Sequence, residues 1–273
     1  MTRKLRSYPG KTFKNEYSPI HLKSNSICRQ SENERITRST TGSIAETING
    51  YYRFLDASQK NRSLPEINDC FVVRLASIII DVIEKEKFVI AKDGCFKDDF
   101  YRTCLEKLNK SDLAAEINDA ELLIIYLKQC VHILVSSGIL MRKPRAAARI
   151  NRQELSAQTI FYKLFNAYWE RTSWELIFPS DTEAARDLNL ARNILKDLLI
   201  RRTGSINLAS AINEFMEMTG FGSQNDLRLI SFIDFYYITW LQFFGMLNYV
   251  KGPDVAPVRI VFTDRGRHFL RSI

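Results

Sequence analysis

The order of apolar patterns along the chain constrains its fold most. Apolar residues recur every three or four positions over residues 71–83, and a short apolar run follows at residues 88–90. Two more segments with helical spacing occupy residues 98–108 and 117–137, and two short apolar runs then flank a basic turn. Helical spacing is typical of amphipathic helices, whereas short apolar runs beside turn residues are typical of strands. We therefore predict helix, strand, helix, helix and hairpin in this half.

The same order returns in the second half of the chain. An aromatic helix is predicted over residues 157–171, and a further helix begins after Asp181, a good N-cap residue. A short strand near Ile206, a helix over residues 209–218 and a long aromatic helix over residues 226–244 come next. Two strand-like runs and a last helical turn end the chain. The pattern predicts a mainly α protein with short β hairpins.

Helix, strand, helix, helix and hairpin is the order of a winged helix-turn-helix unit. The sequence therefore predicts two winged-helix-like units joined by the aromatic linker helix. We place a basic tail at residues 1–40, the first unit with its preceding helix at residues 41–155, and the linker helix with the second unit at residues 156–273.

Charge is distributed unevenly between the tail and the rest of the chain. The formal net charge is +8 over 273 residues. Residues 1–40 hold nine Lys and Arg and three Asp and Glu, so they carry 9 − 3 = +6, and the other residues carry +2. This segment is polar and lacks apolar periodicity, so it cannot bury enough apolar surface to offset the entropy of ordering. We predict a largely disordered tail.

Three segments of the chain resemble a known family. They are the strand, glycine turn and helix start at residues 88–100, the aromatic helix at residues 161–174, and the strand and helix at residues 261–270. Together they are similar to an uncharacterised bacterial family of tandem winged-helix-like repeats, whose members are known only as hypothetical proteins. The resemblance spans about residues 67–273. It implies the tandem fold and carries no established activity or site residues.

The third helix of each unit is a poor candidate for reading a DNA groove. A groove-reading helix offers Arg, Lys, Asn or Gln to base edges. The helix near residues 116–135 has Lys128 as its only basic residue, and the helix at residues 226–244 has only Arg228. The second helix is apolar around much of its circumference, which predicts burial against the first unit or against a second subunit. Its candidate protein-interface residues are Phe232, Tyr236, Tyr237, Trp240 and Phe243.

Two hairpins carry arginine clusters that could hold phosphates without reading sequence. The first cluster lies within eleven residues, and the second lies at the end of the chain. A solvated turn is the alternative interpretation of such charge runs. The candidate phosphate contacts are Arg142, Lys143, Arg145, Arg149, Arg152, Arg259, Arg265 and Arg267.

No catalytic, cofactor or metal motif is found in the sequence. The three histidines are His21, His132 and His268, and no two of them have the spacing of metal ligands. Five cysteines at irregular spacing contain no C-x-x-C pair, so a zinc ribbon is not predicted. The Gly220–Phe221–Gly222 loop lacks the Lys-Ser/Thr that a phosphate loop needs. We expect no enzyme activity, no cofactor, no metal and no small-molecule ligand.

Location and partners follow from the same patterns. No apolar run reaches the length of a membrane span, and the N-terminal residues lack the apolar core of a secretory signal, so we expect a cytoplasmic protein without a membrane partner. Because the third helices are poor candidates for reading DNA, we favour a non-enzymatic binding or scaffolding protein that uses its units mainly for protein contacts. Its partner would be another protein or a second copy of the chain. The alternative is a nucleic-acid-binding regulator that contacts phosphates non-specifically through its basic wings and tail.

Overall fold

The computed structural model describes residues 67–92, 95–111, 120–151, 155–178, 181–222, 226–250, 258–271 and 273. Within these residues the fold is mainly α-helical with short antiparallel strand pairs, which confirms the predicted class. The predicted tail at residues 1–40, the helix predicted to precede the first unit and Arg152 lie outside them. None of the described helices is long and apolar enough to cross a membrane.

The first half contains three helices and a small hairpin. A 3-10 turn at Ile67–Asp69 precedes them. The elements are α1 (Phe71–Lys85), α2 (Asp98–Asn109), α3 (Ala120–Ser136), β1 (Leu140–Met141) and β2 (Arg149–Ile150). Gly138, in the left-handed region at φ 74°, lies between α3 and β1, where the sequence predicts the end of the helix.

The second half repeats this order after a linker. The linker comprises α4 (Ala157–Asn166), a π-helical turn at Ala167–Arg171 and α5 (Trp174–Ile177). The elements that follow are α6 (Thr182–Arg201), β3 (Ile206–Asn207), α7 (Leu208–Thr219), α8 (Leu227–Ile233), a second π-helical turn at Asp234–Ile238, α9 (Thr239–Phe243), β4 (Leu247–Val250), β5 (Arg259–Phe262) and α10 (Asp264–Arg271).

Strand pairing follows one scheme in both halves. In the second half, β3 and β4 both pair antiparallel with β5, which gives the sheet order β3-β5-β4. In the first half, β1 pairs with β2, and Val89, which precedes α2, forms an antiparallel bridge with Ala147 near the start of β2. The segment ahead of the second helix therefore pairs with the last strand of the hairpin in each half. The run at residues 88–90, predicted as a strand, makes only this single bridge.

Side-chain caps fix several helix starts. The side chain of Ser156 accepts a hydrogen bond from the Thr159 N–H at α4, and Asp181 accepts one from the Ala184 N–H at α6. The hydroxyl of Thr263 accepts a hydrogen bond from the Gly266 N–H at α10. These caps satisfy backbone donors that a helix end leaves unpaired. The helix start predicted at Asp181 is confirmed.

Two long helices expected from the sequence contain π-helical turns. The helix predicted over residues 157–171 changes at Ala167, and the one predicted over residues 226–244 changes at Asp234. The two π-helical turns contact each other, since the Tyr168 hydroxyl donates to the Tyr236 carbonyl and the Trp169 ring lies 5.9 Å from that of Tyr237. A π-helical turn shifts the register of side chains by one residue, which turns bulky aromatic rings into the core.

Candidate functional site

Much of the third helix of each half is buried in the interior of the described chain, and in the second half this helix comprises α8, the second π-helical turn and α9. Most of α3 is covered, and Gln129, Cys130 and Val131 in its middle are each 2% exposed or less. The aromatic residues of α8, the second π-helical turn and α9 are covered as well. Phe232, Tyr237, Trp240 and Phe243 are buried, and Tyr236 is half-buried.

Contacts between these helices join the two halves. The ring of Tyr126 in α3 lies 5.7 Å from that of Phe235 and 4.9 Å from that of Phe243. The Phe243 ring also stacks on Phe71 of α1 at 4.3 Å. The sequence left open whether the aromatic helix of the second half packs against the first half or against a second subunit. The structure shows its contact with the first half. The accessible face of α3 carries Glu121, Ile125 and Lys128, so it offers a single cation where a groove-reading helix presents several Arg, Lys, Asn or Gln side chains.

One hydrogen bond fixes the register between the third helices. The indole nitrogen of Trp240 donates to the side-chain oxygen Oε1 of Gln129 at 3.1 Å, and both residues are buried. A buried amide oxygen without a donor would cost free energy, so this contact specifies one arrangement of the halves. The second Gln129 group, Nε2, has no hydrogen-bond partner.

The hairpin β1-β2 is the basic surface that remains accessible. Lys143, Arg145 and Arg149 are exposed, and Arg142 is half-buried. None of the three exposed side chains contacts a carboxylate within the described part of the chain. Residues 139–151 contain no Asp or Glu at all. The three exposed cations therefore face solvent without a carboxylate partner among the described residues.

Sequence reasoning missed a fifth cation beside this hairpin. The backbone N–H of Arg145 donates to the Ile90 carbonyl at 2.9 Å, and the Ile90 N–H donates to the Ala146 carbonyl at the same distance. This pairing brings the exposed Lys92, two residues beyond Ile90, to the side of the turn. The sequence does show that residues 88–92 lack acids. It does not show that this segment pairs with the distant hairpin, which is what places Lys92 beside the other cations.

Arg145 has an unfavourable backbone conformation. Its φ is 61°, and it is the only residue other than glycine with positive φ in the described chain. The left-handed region costs an L-residue with a Cβ about 1–2 kcal/mol, and Gly or Asn is the usual occupant. An exposed arginine at this position gains no burial in return. Backbone strain of this kind clusters at binding sites.

The second arginine cluster is used by the chain itself. The Arg267 guanidinium donates hydrogen bonds to two carbonyls at the end of α6, those of Ile200 at 2.8 Å and Arg202 at 3.0 Å. Arg265 is half-buried, with Nη2 3.8 Å from the Cys70 sulfur. The exposed Arg259 donates to the side chain and carbonyl of Ser205 at 2.8 and 3.2 Å. These three predicted phosphate contacts hold local structure.

Burial shifts the pKa values of two interior groups in the direction that favours their neutral forms. Burial, reinforced by the charges of Arg142 and Lys128, lowers the pKa of His132 to about 4. Burial raises the pKa of the Cys104 thiol to about 12. A neutral thiol is a poor nucleophile and metal ligand. Among the described residues, no group of three or more His, Cys, Asp or Glu side chains could hold a metal ion.

A buried carboxyl group is enclosed by polar partners beside the second π-helical turn. Asp234 accepts a hydrogen bond from the Tyr249 hydroxyl, and the Thr239 hydroxyl donates to the Asp234 carbonyl at 3.1 Å. All three residues are buried. The geometry of these contacts supports packing between the π-helical turn and β4.

Comparison of the chain with family models, with curated proteins and with solved structures gives no match in any of the three.

Proposed function

We propose that this protein is a non-enzymatic binding protein built from two winged-helix-like units, and that it holds the phosphates of nucleic acid through the hairpin β1-β2. The element order of each half supports the unit assignment. So does the strand scheme, in which the segment before the second helix pairs with the last strand of the hairpin. That arrangement is expected of a helix-turn-helix followed by a wing.

The units use their third helices for protein contact. Burial of Tyr126, Trp240 and Phe243 between the halves supports this use. The accessible face of α3, with Glu121, Ile125 and Lys128, offers few groups that read base edges. Base-edge readout is therefore not part of the proposed function. The protein contact made by these helices is the contact between the two halves of the same chain.

The acid-free basic hairpin carries the proposal for nucleic acid. Lys92, Lys143, Arg145 and Arg149 are exposed, and no carboxylate lies within residues 88–92 or 139–151. Arginine and lysine on a protruding turn reach backbone phosphates from outside a groove, and each contact releases counterions. Binding of this kind is independent of sequence and falls as salt is raised.

A DNA-binding titration with charge variants tests this function. The variant K143E/R145E/R149E removes three predicted phosphate contacts on the hairpin. A fluorescein-labelled duplex is titrated with the full-length chain at several salt concentrations, and anisotropy gives the dissociation constant. If all three contacts are lost, the slope of log K against log salt becomes less steep by about 2.7, since each contact contributes about 0.9.

A charge-matched control separates this surface from net charge. The variant R102E/K110E/R171E changes the total charge by the same amount at exposed positions outside the hairpin. We expect its slope to remain close to that of the unchanged protein. Equal slopes for the two triple variants, or no binding by the unchanged protein at low salt, would refute the proposed role of the hairpin.

Scaffolding through self-association is a second candidate function. It is favoured by an exposed stripe on α6 that combines apolar side chains with unpaired charges. Such a surface is more typical of a contact between proteins than of a nucleic-acid site.

A further inference from the structure

One face of α6 exposes apolar residues that the chain's own core does not cover. Leu190 is 78% exposed and Ile194 is 43% exposed. They lie one helical turn apart, so they share a face of the helix. Met218 on the neighbouring helix α7 is 60% exposed. Three large apolar side chains are thus in contact with water on one side of the second half.

A groove between α6 and α7 continues this face. Its volume is about 330 Å³, and its walls include Ile194, Leu198, Arg201 and Met218. Apolar and charged side chains line it together. Contacts between proteins combine apolar and polar side chains in this way.

The charges along the α6 stripe have opposite signs at its two ends. Asp187 and Arg201 are both exposed, and neither contacts an opposite charge within the described chain. Each lies seven residues from Ile194, which is about 10.5 Å along the helix axis at 1.5 Å per residue. Seven residues are almost two full turns, so the three side chains lie on the same face. The stripe is acidic, apolar and basic in order, with Ile194 at its centre.

We propose that α6 is a dimer interface, in which two copies of this chain pair their α6 helices antiparallel about a two-fold axis near Ile194. Under that symmetry residue Asp187 of one copy meets Arg201 of the other, and the reverse contact forms at the same time. Leu190 of each copy faces Leu198 and the groove of the other. A two-fold contact requires a surface that is complementary to itself, and this stripe meets that requirement.

The other charges near the stripe are satisfied inside each copy. Arg186 is paired with Glu175, and Arg202 is paired with Glu214. Asp197 lies 3.8 Å from the buried Lys196. The proposed antiparallel register would bring Arg186 near Arg202 of the other copy, and their internal carboxylate partners reduce the repulsion. The pair Asp187 and Arg201 therefore decides the orientation.

Sedimentation equilibrium of the full-length protein tests the interface. We expect a concentration-dependent dimer for the unchanged chain. The single variants D187R and R201E each place like charges opposite one another at both ends of the contact. We expect each to raise the dissociation constant of the dimer by about tenfold or more, which corresponds to about 1.4 kcal/mol.

Charge-swap experiments distinguish a salt-bridged interface from damage to the fold. The double variant D187R/R201E restores opposite charges across the two-fold axis, so its dimer should return. An equimolar mixture of D187R and R201E chains should form a mixed dimer, because one chain then supplies two arginines and the other two acids. A third variant, I194E, places a charge in the apolar centre and should leave only monomer.

Exposed Arg102 on α2 supplies the control, and R102E should dimerise like the unchanged chain. A monomer at every concentration of the unchanged protein would overturn the proposal, as would equal association by all the charge variants. The proposal does not depend on nucleic-acid binding, since the hairpin variants leave α6 intact. Failure of one proposal can therefore be recognised without failure of the other.

Discussion

A double-mutant cycle at Gln129 and Trp240 tests the contact between the two halves. Trp240→Phe removes the indole N–H and leaves the buried Oε1 of Gln129 without its donor. Gln129→Leu removes that oxygen, together with an Nε2 that has no hydrogen-bond partner, but leaves the indole N–H unsatisfied. The double variant replaces both partners by apolar groups. The double variant therefore removes the hydrogen bond without leaving a buried donor or acceptor unsatisfied.

The expected free energies follow from burial. A buried donor or acceptor left unsatisfied costs about 1–3 kcal/mol, so each single variant loses that amount. Trp240→Phe loses about 1–2 kcal/mol more, because Trp240 is fully buried and the smaller ring leaves a cavity. The double variant should be more stable than the sum of the single losses predicts. We expect a coupling energy of about 1–2 kcal/mol.

Urea unfolding followed by far-UV circular dichroism measures these free energies. A matched cycle combines Gln129→Leu with Phe215→Leu, since Phe215 is buried within the second half against Phe221. That pair should be additive to about 0.5 kcal/mol. If the Gln129 and Trp240 losses are also additive within this margin, the third helices do not meet through this hydrogen bond, and the account of the interior fails.

Three further predictions concern other parts of the chain. Gly266→Ala should lower the free energy of urea unfolding by about 3 kcal/mol or more, because a Cβ at this position would overlap the Met246 carbonyl. Gly138→Ala should lower it by only about 1 kcal/mol, the strain of the left-handed conformation, since no atom lies near the added Cβ. Arg145→Asn should raise the free energy of unfolding by up to about 1 kcal/mol, because Asn tolerates the positive φ better than Arg. The same change should weaken duplex DNA binding about five- to tenfold at 0.1 M salt. Weaker binding without any gain in stability would contradict the strain argument. His132 has a folded-state pKa of about 4, below its ordinary value of 6.5, so the unfolded chain binds a proton first and stability should fall as pH falls from about 6.5 towards 4. His132→Gln should flatten this part of the pH profile of urea unfolding, and an unchanged slope would exclude His132 as its source.

The sequence predicts the helices well because their burial has a period. α1 has apolar residues at the spacing of one helix face, and its buried residues include Leu75, Ile79 and Val82. The apolar circumference of residues 226–244 likewise predicts that this helix is covered. The burial of Phe232, Tyr237, Trp240 and Phe243 is therefore visible in the sequence.

Other features depend on contacts that a local pattern does not contain. The π-helical turn at Asp234–Ile238 arises from the packing of its aromatic rings against those of the linker, which the spacing of one segment does not reveal. Arg267 resembles a phosphate-binding arginine in sequence, but its guanidinium reaches two carbonyls at the end of α6, about 65 residues earlier. Lys92 joins the basic hairpin only through backbone pairing between distant segments.

Hydrogen exchange of the full-length protein, with and without a saturating DNA duplex at low salt, tests the central claim most directly. The account predicts that DNA slows exchange in peptides covering residues 88–92 and 139–151, and that exchange in α3 and α9 stays unchanged because these helices remain buried together. Slower exchange confined to α3, or faster exchange in α3 and α9 as the halves separate, would contradict it.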